Sequence, residues 1–196
     1  GLQMGAIFQS LGRSIAAGVV LVIILILAAG DGINYDHAWG AFVMRWLHVI
    51  SGVMWVGLLW YFNLVQIPSM PKIPDEQKPA IGKVIAPAAL FWFRWAALST
   101  IVTGLLLAGM NGYIGSLLTF ARPFTAIAIG MWLVAIMAFN VWFIIWPNQK
   151  KALGIVTVEP AEKAKAARLA MLTSRFNTML SIPMLYCMVA QQNGGL

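Results

Sequence analysis

The sequence predicts an all-α integral membrane protein: a bundle of about five transmembrane helices, with a cytoplasmic N-terminus and a periplasmic C-terminus. Three observations predict it. Of the 196 residues, 61% are hydrophobic and 10% charged, where a soluble domain carries about 25% charged residues. Mean hydropathy is +0.82. Apolar runs near the roughly 20 residues that cross a hydrocarbon core recur five times along the chain. Together these exclude an ordinary soluble enzyme, a disordered tail and a nucleic-acid module. The net charge of +7 would suggest a polyanionic partner in a soluble protein. Here the placement of the charges matters more than their sum, and no nucleic acid is expected. The single cysteine, Cys187, lies inside an apolar run, which excludes a disulfide framework and a Cys-rich metal site.

The whole chain, 1–196, reads as one transmembrane domain. Its first span, 14–29, is short and follows Arg13, the pattern of a signal peptide. The GDGINYDHAW that follows lacks an A-x-A cleavage pattern, so the segment reads as a retained span. The other spans fall at about 41–67, 88–110, 124–146 and 169–190. Lys72, Lys78 and Lys83 lie between the second and third spans. Lys150, Lys151, Lys163, Lys165 and Arg168 lie between the fourth and fifth. The intervening loops carry Asp31 and Asp36, or Arg122 alone. Basic loops mark the cytoplasmic side, so the N-terminus is inside, the C-terminus outside, and the expected location is a bacterial inner membrane. IPSMPKIPDEQKP, rich in proline, is expected to be extended. EPAEKAKAARLAML reads as a helix rising into the fifth span. Trp39, Trp46, Tyr113, Trp142 and Trp146 fall near span ends, as interfacial aromatic belts do.

Ionisable groups inside a span are costly, so each is a functional candidate. Arg45 and His48 are three residues apart and share a helical face, which Gly52, Trp55 and Leu59 continue. His48 would lie about 10 Å below the outer surface at 1.5 Å per residue. It could supply the axial nitrogen of a b-type haem, with Arg45 near the propionates, Gly52 admitting a flat group and Trp55 lining the pocket. A histidine hydrogen-bonded within the bundle beside a snorkelling Arg45 is the competing interpretation. His37 lies roughly 16 Å from His48 along a helix axis, so one haem cannot be bridged by both; His37 reads as an exposed loop residue. Arg94 and Arg175 fall near the cytoplasmic ends, where headgroup contact is cheap. Asn63, Asn140, Ser174, Asn177 and Thr178 are suited to interhelical hydrogen bonds. Met44, Met54, Met137 and Met179 are possible thioether ligands, none singled out by pattern. The sequence contains no H-E-x-x-H, G-x-S-x-G, Walker or C-x-x-C-H motif, and no span carries an acidic residue for a carboxylate relay.

Four stretches carry a family pattern. RWLHVISGVMWVGLLWYF is similar to R-W-x-H-V-I-x-x-x-x-W-x-G. FWFRWAALSTIVTGLLL is similar to W-F-[KR]-W-x-x-x-x-T-x-x-x-G. NVWFIIWPNQKK follows an asparagine-to-proline segment ending in Q-[KR]-[KR], and SRFNTMLSIPMLYCM follows S-x-H-N-x-x-x-x-x-P-x-L-x-x-M. In this order, over roughly 41–188, they resemble the membrane-bound urate hydroxylase family, the urate oxidase N-terminal membrane domain. That resemblance implies a partner c-type cytochrome on the outer side, where the C-terminus is expected, and strengthens the haem expectation at His48. Phe176 stands where the family has a histidine, and Ala190, Gln191 and Gln192 stand where it has a later S-N-H.

The leading expectation is a membrane subunit in electron transfer, holding haem b through His48 near the outer face and working with a c-type cytochrome. The alternatives are a cofactor-free accessory subunit of a larger respiratory or photosynthetic complex, packed against partner helices and lipid, and a urate hydroxylase-like oxidoreductase.

Overall fold

A computed structural model describes residues 4–196; the start of the chain at Gly1 lies outside them. The chain packs as two compact units, 1–40 and 41–196. In the first, α1 (Met4–Phe8) leads to α2 (Leu11–Ala29). Ser10 caps α2 by accepting the Arg13 N–H at 3.4 Å, as a serine N-cap does for an orphan helix donor. No residue of α2 is buried. Tyr35 and Trp39 stack edge-on at 4.9 Å, and Asp36 accepts the Trp39 N–H at 3.1 Å.

His37 is the first residue of α3 (His37–Tyr61), not part of a loop. Beyond Tyr61 the helix continues through a wide π-helical turn, π1 (Phe62–Gln66), a short α4 (Ile67–Ser69) and a 3-10 turn (Met70–Lys72). The proline-rich loop is therefore largely helical; only 73–77 breaks the path, and α5 (Lys78–Ala80) restarts it. Lys78 pairs with Asp75 at 2.8 Å and holds that exposed carboxyl below its usual range. The next rod joins π2 (Ile81–Ile85) to α6 (Ala86–Met110). After α7 (Ser116–Thr119), α8 (Thr125–Asn140) passes through π3 (Val141–Ile145) into α9 (Trp146–Ala152). The expected cytoplasmic helix and fifth span are one uninterrupted α10 (Pro160–Asn193). No strand occurs among the described residues.

The three π turns share one cause. In each, the residue before a proline donates five residues back: Ile67 to Phe62, Ala86 to Ile81 and Trp146 to Val141. Pro68, Pro87 and Pro147 follow directly. A helix-interior proline clashes with the carbonyl four residues earlier. Widening the preceding turn by one residue moves that carbonyl aside, so the rod bends without ending.

Among the described residues, four rods are long and apolar enough to cross a membrane: Leu11–Ala29, His37–Lys72, Lys78–Met110 and Thr125–Ala152. Five were expected. The fifth, within α10, is long enough but diluted by Arg175, Asn177 and neighbouring hydroxyls. Its uncharged polar groups Ser174, Asn177 and Ser181 are buried, whereas Arg175, Phe176, Met179 and Ile182 are exposed. The second unit repeats that distribution. Phe91, Trp92, Leu105, Phe139 and Phe143 face outward, while Asn63, Thr100 and Asn140 are buried. Its core gathers Trp55, Leu59, Phe62, Phe93, Met137 and Val141 from α3, π1, α6, α8 and π3.

Candidate functional site

Antiparallel α3 and α6 meet along a short polar ladder. Ser51 Oγ donates to the Leu47 carbonyl at 2.9 Å and lies 2.7 Å from Ser99 Oγ. One turn further along, His48 Nδ1 lies 3.0 Å from Thr103 Oγ1. The direction of that bond follows from counting protons. Thr103 has one hydroxyl proton, and its closest acceptor is the Ser99 carbonyl at 2.6 Å. Thr103 Oγ1 therefore accepts, and His48 Nδ1–H donates. With its N–H directed at α6, neutral His48 keeps the Nε2 lone pair for another partner.

The helices approach this closely because residue 104 is glycine. A Cβ there would lie 2.9 Å from His48 Cε1 and 3.4 Å from Nδ1, inside ordinary carbon contact. Gly52, the glycine expected to open space beside His48, has nothing within 4 Å of such an atom. The close approach is made by α6, not along the α3 face.

His48 lines a cavity of about 280 Å³ between α3 and α6 on one side and the α7 hairpin, α8 and α10 on the other. Its lining is almost entirely hydrocarbon. Thr100 donates its hydroxyl proton to the Ala96 carbonyl at 2.7 Å, and the Trp132 indole donates to the Leu117 carbonyl at 2.8 Å. His48 therefore carries the one side-chain nitrogen lone pair in the cavity wall. The remaining soft donors are the thioethers of Met131 and Met188. Neither was among the four methionines named from the sequence as possible thioether ligands. Of those, Met137 is fully buried in the core, and Met54 and Met179 face outward.

Arg45, Gly52 and Trp55 do not line this cavity. Trp55 shares the His48 face but lies two turns deeper, fully buried, with its indole N–H unpaired. Arg45 sits one turn before His48 on α3. Its charge reaches Tyr113, where it opposes the upward push that burial gives the phenol.

A second polar layer lies deeper in the bundle. Asn140 Nδ2 donates to Asn177 Oδ1 at 2.9 Å, and Asn177 Nδ2 to the Met137 carbonyl at 3.0 Å. Asn63 Nδ2 donates to Ser174 Oγ at 2.9 Å, and the Trp60 indole to Ser181 Oγ at 3.0 Å. These are the interhelical bonds expected of buried asparagines. Arg94 stacks 3.6 Å over the Trp146 ring, and its carbonyl accepts the Trp142 indole N–H at 3.1 Å. Arg94, Trp142 and Trp146 thus contact one another within the fold. Among the described residues, no group of three or more His, Cys, Asp or Glu could hold a metal ion.

Residues 114–194 match the family model described as urate oxidase N-terminal. Over that stretch the chain is urate oxidase N-terminal-like. The match takes in α7 to α10, with the asparagine-to-proline segment, the SRFN motif and the Met131–Met188 side of the cavity. The α3 and α6 motifs, with His48 and Gly104, lie outside the matched stretch. No curated protein and no solved structure matches the chain. Within the matched stretch, Phe176, in place of the family histidine, is exposed on α10. Gln191, at the later departure, ties α10 to the start of α8. It accepts the Ile127 N–H and donates to the Pro123 carbonyl, each at 3.0 Å.

Proposed function

We propose that this chain is an electron-transfer subunit of a bacterial inner membrane, holding a b-type haem on His48 near the outer face and serving a c-type cytochrome. One observation carries the reading: a histidine whose Nδ1 is engaged by Thr103 and whose ring lines an apolar cavity. Metal-ligating histidines typically donate their other ring N–H in this way, which fixes the tautomer and the ring plane. The lining offers an imidazole nitrogen, two thioethers and hydrocarbon walls, and Arg45, outside that lining and one turn away on α3, would serve the propionates. When bound, the haem would supply one-electron chemistry at a potential set by its axial ligands and burial. The chain's own part is to hold the imidazole, exclude water and anchor the propionate edge. Apolar rods with an inward polar face support the membrane placement, and the basic loops support a cytoplasmic N-terminus.

A cofactor-free accessory subunit is the second reading, favoured by the exposed phenyl of Phe176 where the family carries histidine. A reduced-minus-oxidised spectrum of the purified chain beside His48→Ala separates the two. A b-type signal lost in the variant supports haem; an intact preparation without haem leaves the accessory role. Urate consumption by the same preparation with added cytochrome c tests whether the family's chemistry is retained.

A further inference from the structure

Resting on the membrane placement above but not on the haem, we infer that Arg94, Trp146 and Lys150 form a seat for the phosphate of an anionic phospholipid at the cytoplasmic interface. The Arg94 guanidinium lies 3.6 Å from the centre of the Trp146 ring and 6.0 Å from that of Trp142. Lys150 Nζ stands 5.5 Å from the same Trp146 ring. One indole thus gathers two cations, one from α6 and one from α9. The chain supplies nothing to balance them. Its six acidic residues all lie outside the expected spans, and Asp75 and Glu162 pair with Lys78 and Lys151. Among the described residues no carboxylate pairs with Arg94 or Lys150, and Arg94 Nη1 is buried without a hydrogen-bond partner. A partly buried cation without a counter-ion is costly, so an anion from outside the chain completes the site.

The surroundings favour a lipid as the source of that anion. Stacking holds the guanidinium by its face, and its in-plane N–H groups match phosphate geometry. Lys150 and Lys151 close α9 where the basic loop begins, which sets the two cations at headgroup level on the cytoplasmic side. Basic pockets between spans on that side hold anionic headgroups. Beside the cations runs an aromatic surface suited to acyl chains. Trp142 meets Trp95 at 5.2 Å and Trp95 meets Phe91 at 6.4 Å, with Phe91, Trp95 and Phe143 exposed. A free anion would gain the cations and nothing from that surface. A zwitterionic headgroup brings its own ammonium to two cations, so the site discriminates against it.

The test follows lipid retention by the full chain in detergent micelles, read by native mass spectrometry. The probes are phosphatidylglycerol, phosphatidylcholine and inorganic phosphate. Wild type should hold phosphatidylglycerol at least about tenfold more tightly than phosphatidylcholine, because like charges in contact repel strongly. Arg94→Gln should weaken phosphatidylglycerol about tenfold, the worth of a charge-assisted hydrogen bond. Arg94→Lys keeps the charge without the fork and should fall between the two. Lys150→Gln should cost about two- to fivefold, as loss of an exposed ion pair does, and decides the matter if Arg94→Gln does not fold. Equal affinity for the two lipids, or an affinity unchanged in folded Arg94→Gln, overturns the inference; so does an unchanged Lys150→Gln where Arg94→Gln cannot be read. Displacement of the lipid by millimolar inorganic phosphate makes this a free-anion site and overturns the lipid assignment. Haem content of the same preparations reports on His48 separately: lipid retained without haem leaves this inference standing.

Discussion

Gly104→Ala tests the α3–α6 contact at its tightest point. The added methyl would lie 2.9 Å from His48 Cε1, and carbon contacts are comfortable near 3.5–4.0 Å, so the ring must retreat by at least about 0.6 Å. Retreat from α6 stretches the 3.0 Å bond between Nδ1 and Thr103 past the range in which it counts as a hydrogen bond. That loss costs about 0.5–1.5 kcal/mol, and the overpacking about 1–3 kcal/mol. Replacing a helix-interior glycine by alanine returns about 1 kcal/mol. The net destabilisation is about 0.5–3.5 kcal/mol. Gly52→Ala is the matched control: same substitution, same region, nothing within 4 Å, and an expected gain of up to about 1 kcal/mol. Reversible unfolding of both variants in mixed micelles reads the difference. If Gly104→Ala proves as stable as Gly52→Ala, the close approach at His48 is wrong. If Gly52→Ala alone perturbs a bound cofactor, the flat group approaches along α3, as the spacing within that helix suggests.

Two further substitutions probe the polar layers. Thr103→Val removes the acceptor that fixes the His48 tautomer and should weaken haem retention about 10–100-fold, the usual effect of losing a ligand's supporting partner; equal retention in a haem titration would refute the proton assignment. Asn177→Leu leaves Asn140 Nδ2 buried without its acceptor and should cost about 1–3 kcal/mol. Pairing it with Asn140→Leu should recover part of that cost, because the two residues are coupled; additive losses in a double-mutant cycle would argue against the bond.

The helical architecture is legible in the sequence because it rests on composition and run length, which a linear reading captures directly. What escapes has specific causes. Proline reads as a helix breaker in IPSMPKIPDEQKP, yet Pro68 sits inside a rod because π1 widens just before it, as π2 and π3 do before Pro87 and Pro147. That device depends on a backbone register that residue types do not reveal. Span five looks as apolar as the others because its ends are. The polar residues at its centre are consistent with burial only once α8 and π1 are seen to supply Asn140, Met137 and Asn63 as partners.

For the site, the sequence reveals one helix face but not its neighbours. Spacing within α3 singles out His48, but spacing along one helix cannot say which helix faces it. Thr103 and Gly104 stand side by side at the end of the T-x-x-x-G pattern of α6, one turn beyond Thr100. Thr103 takes the imidazole proton, and Gly104 makes room for the ring. The family match begins after α6 and covers the opposite wall. A ligand between these walls would touch both halves, so the functional reading turns on whether His48, on the wall outside the matched stretch, holds one. If His48 holds no ligand, the two walls are held together by packing alone, and the cavity is a feature of the scaffold.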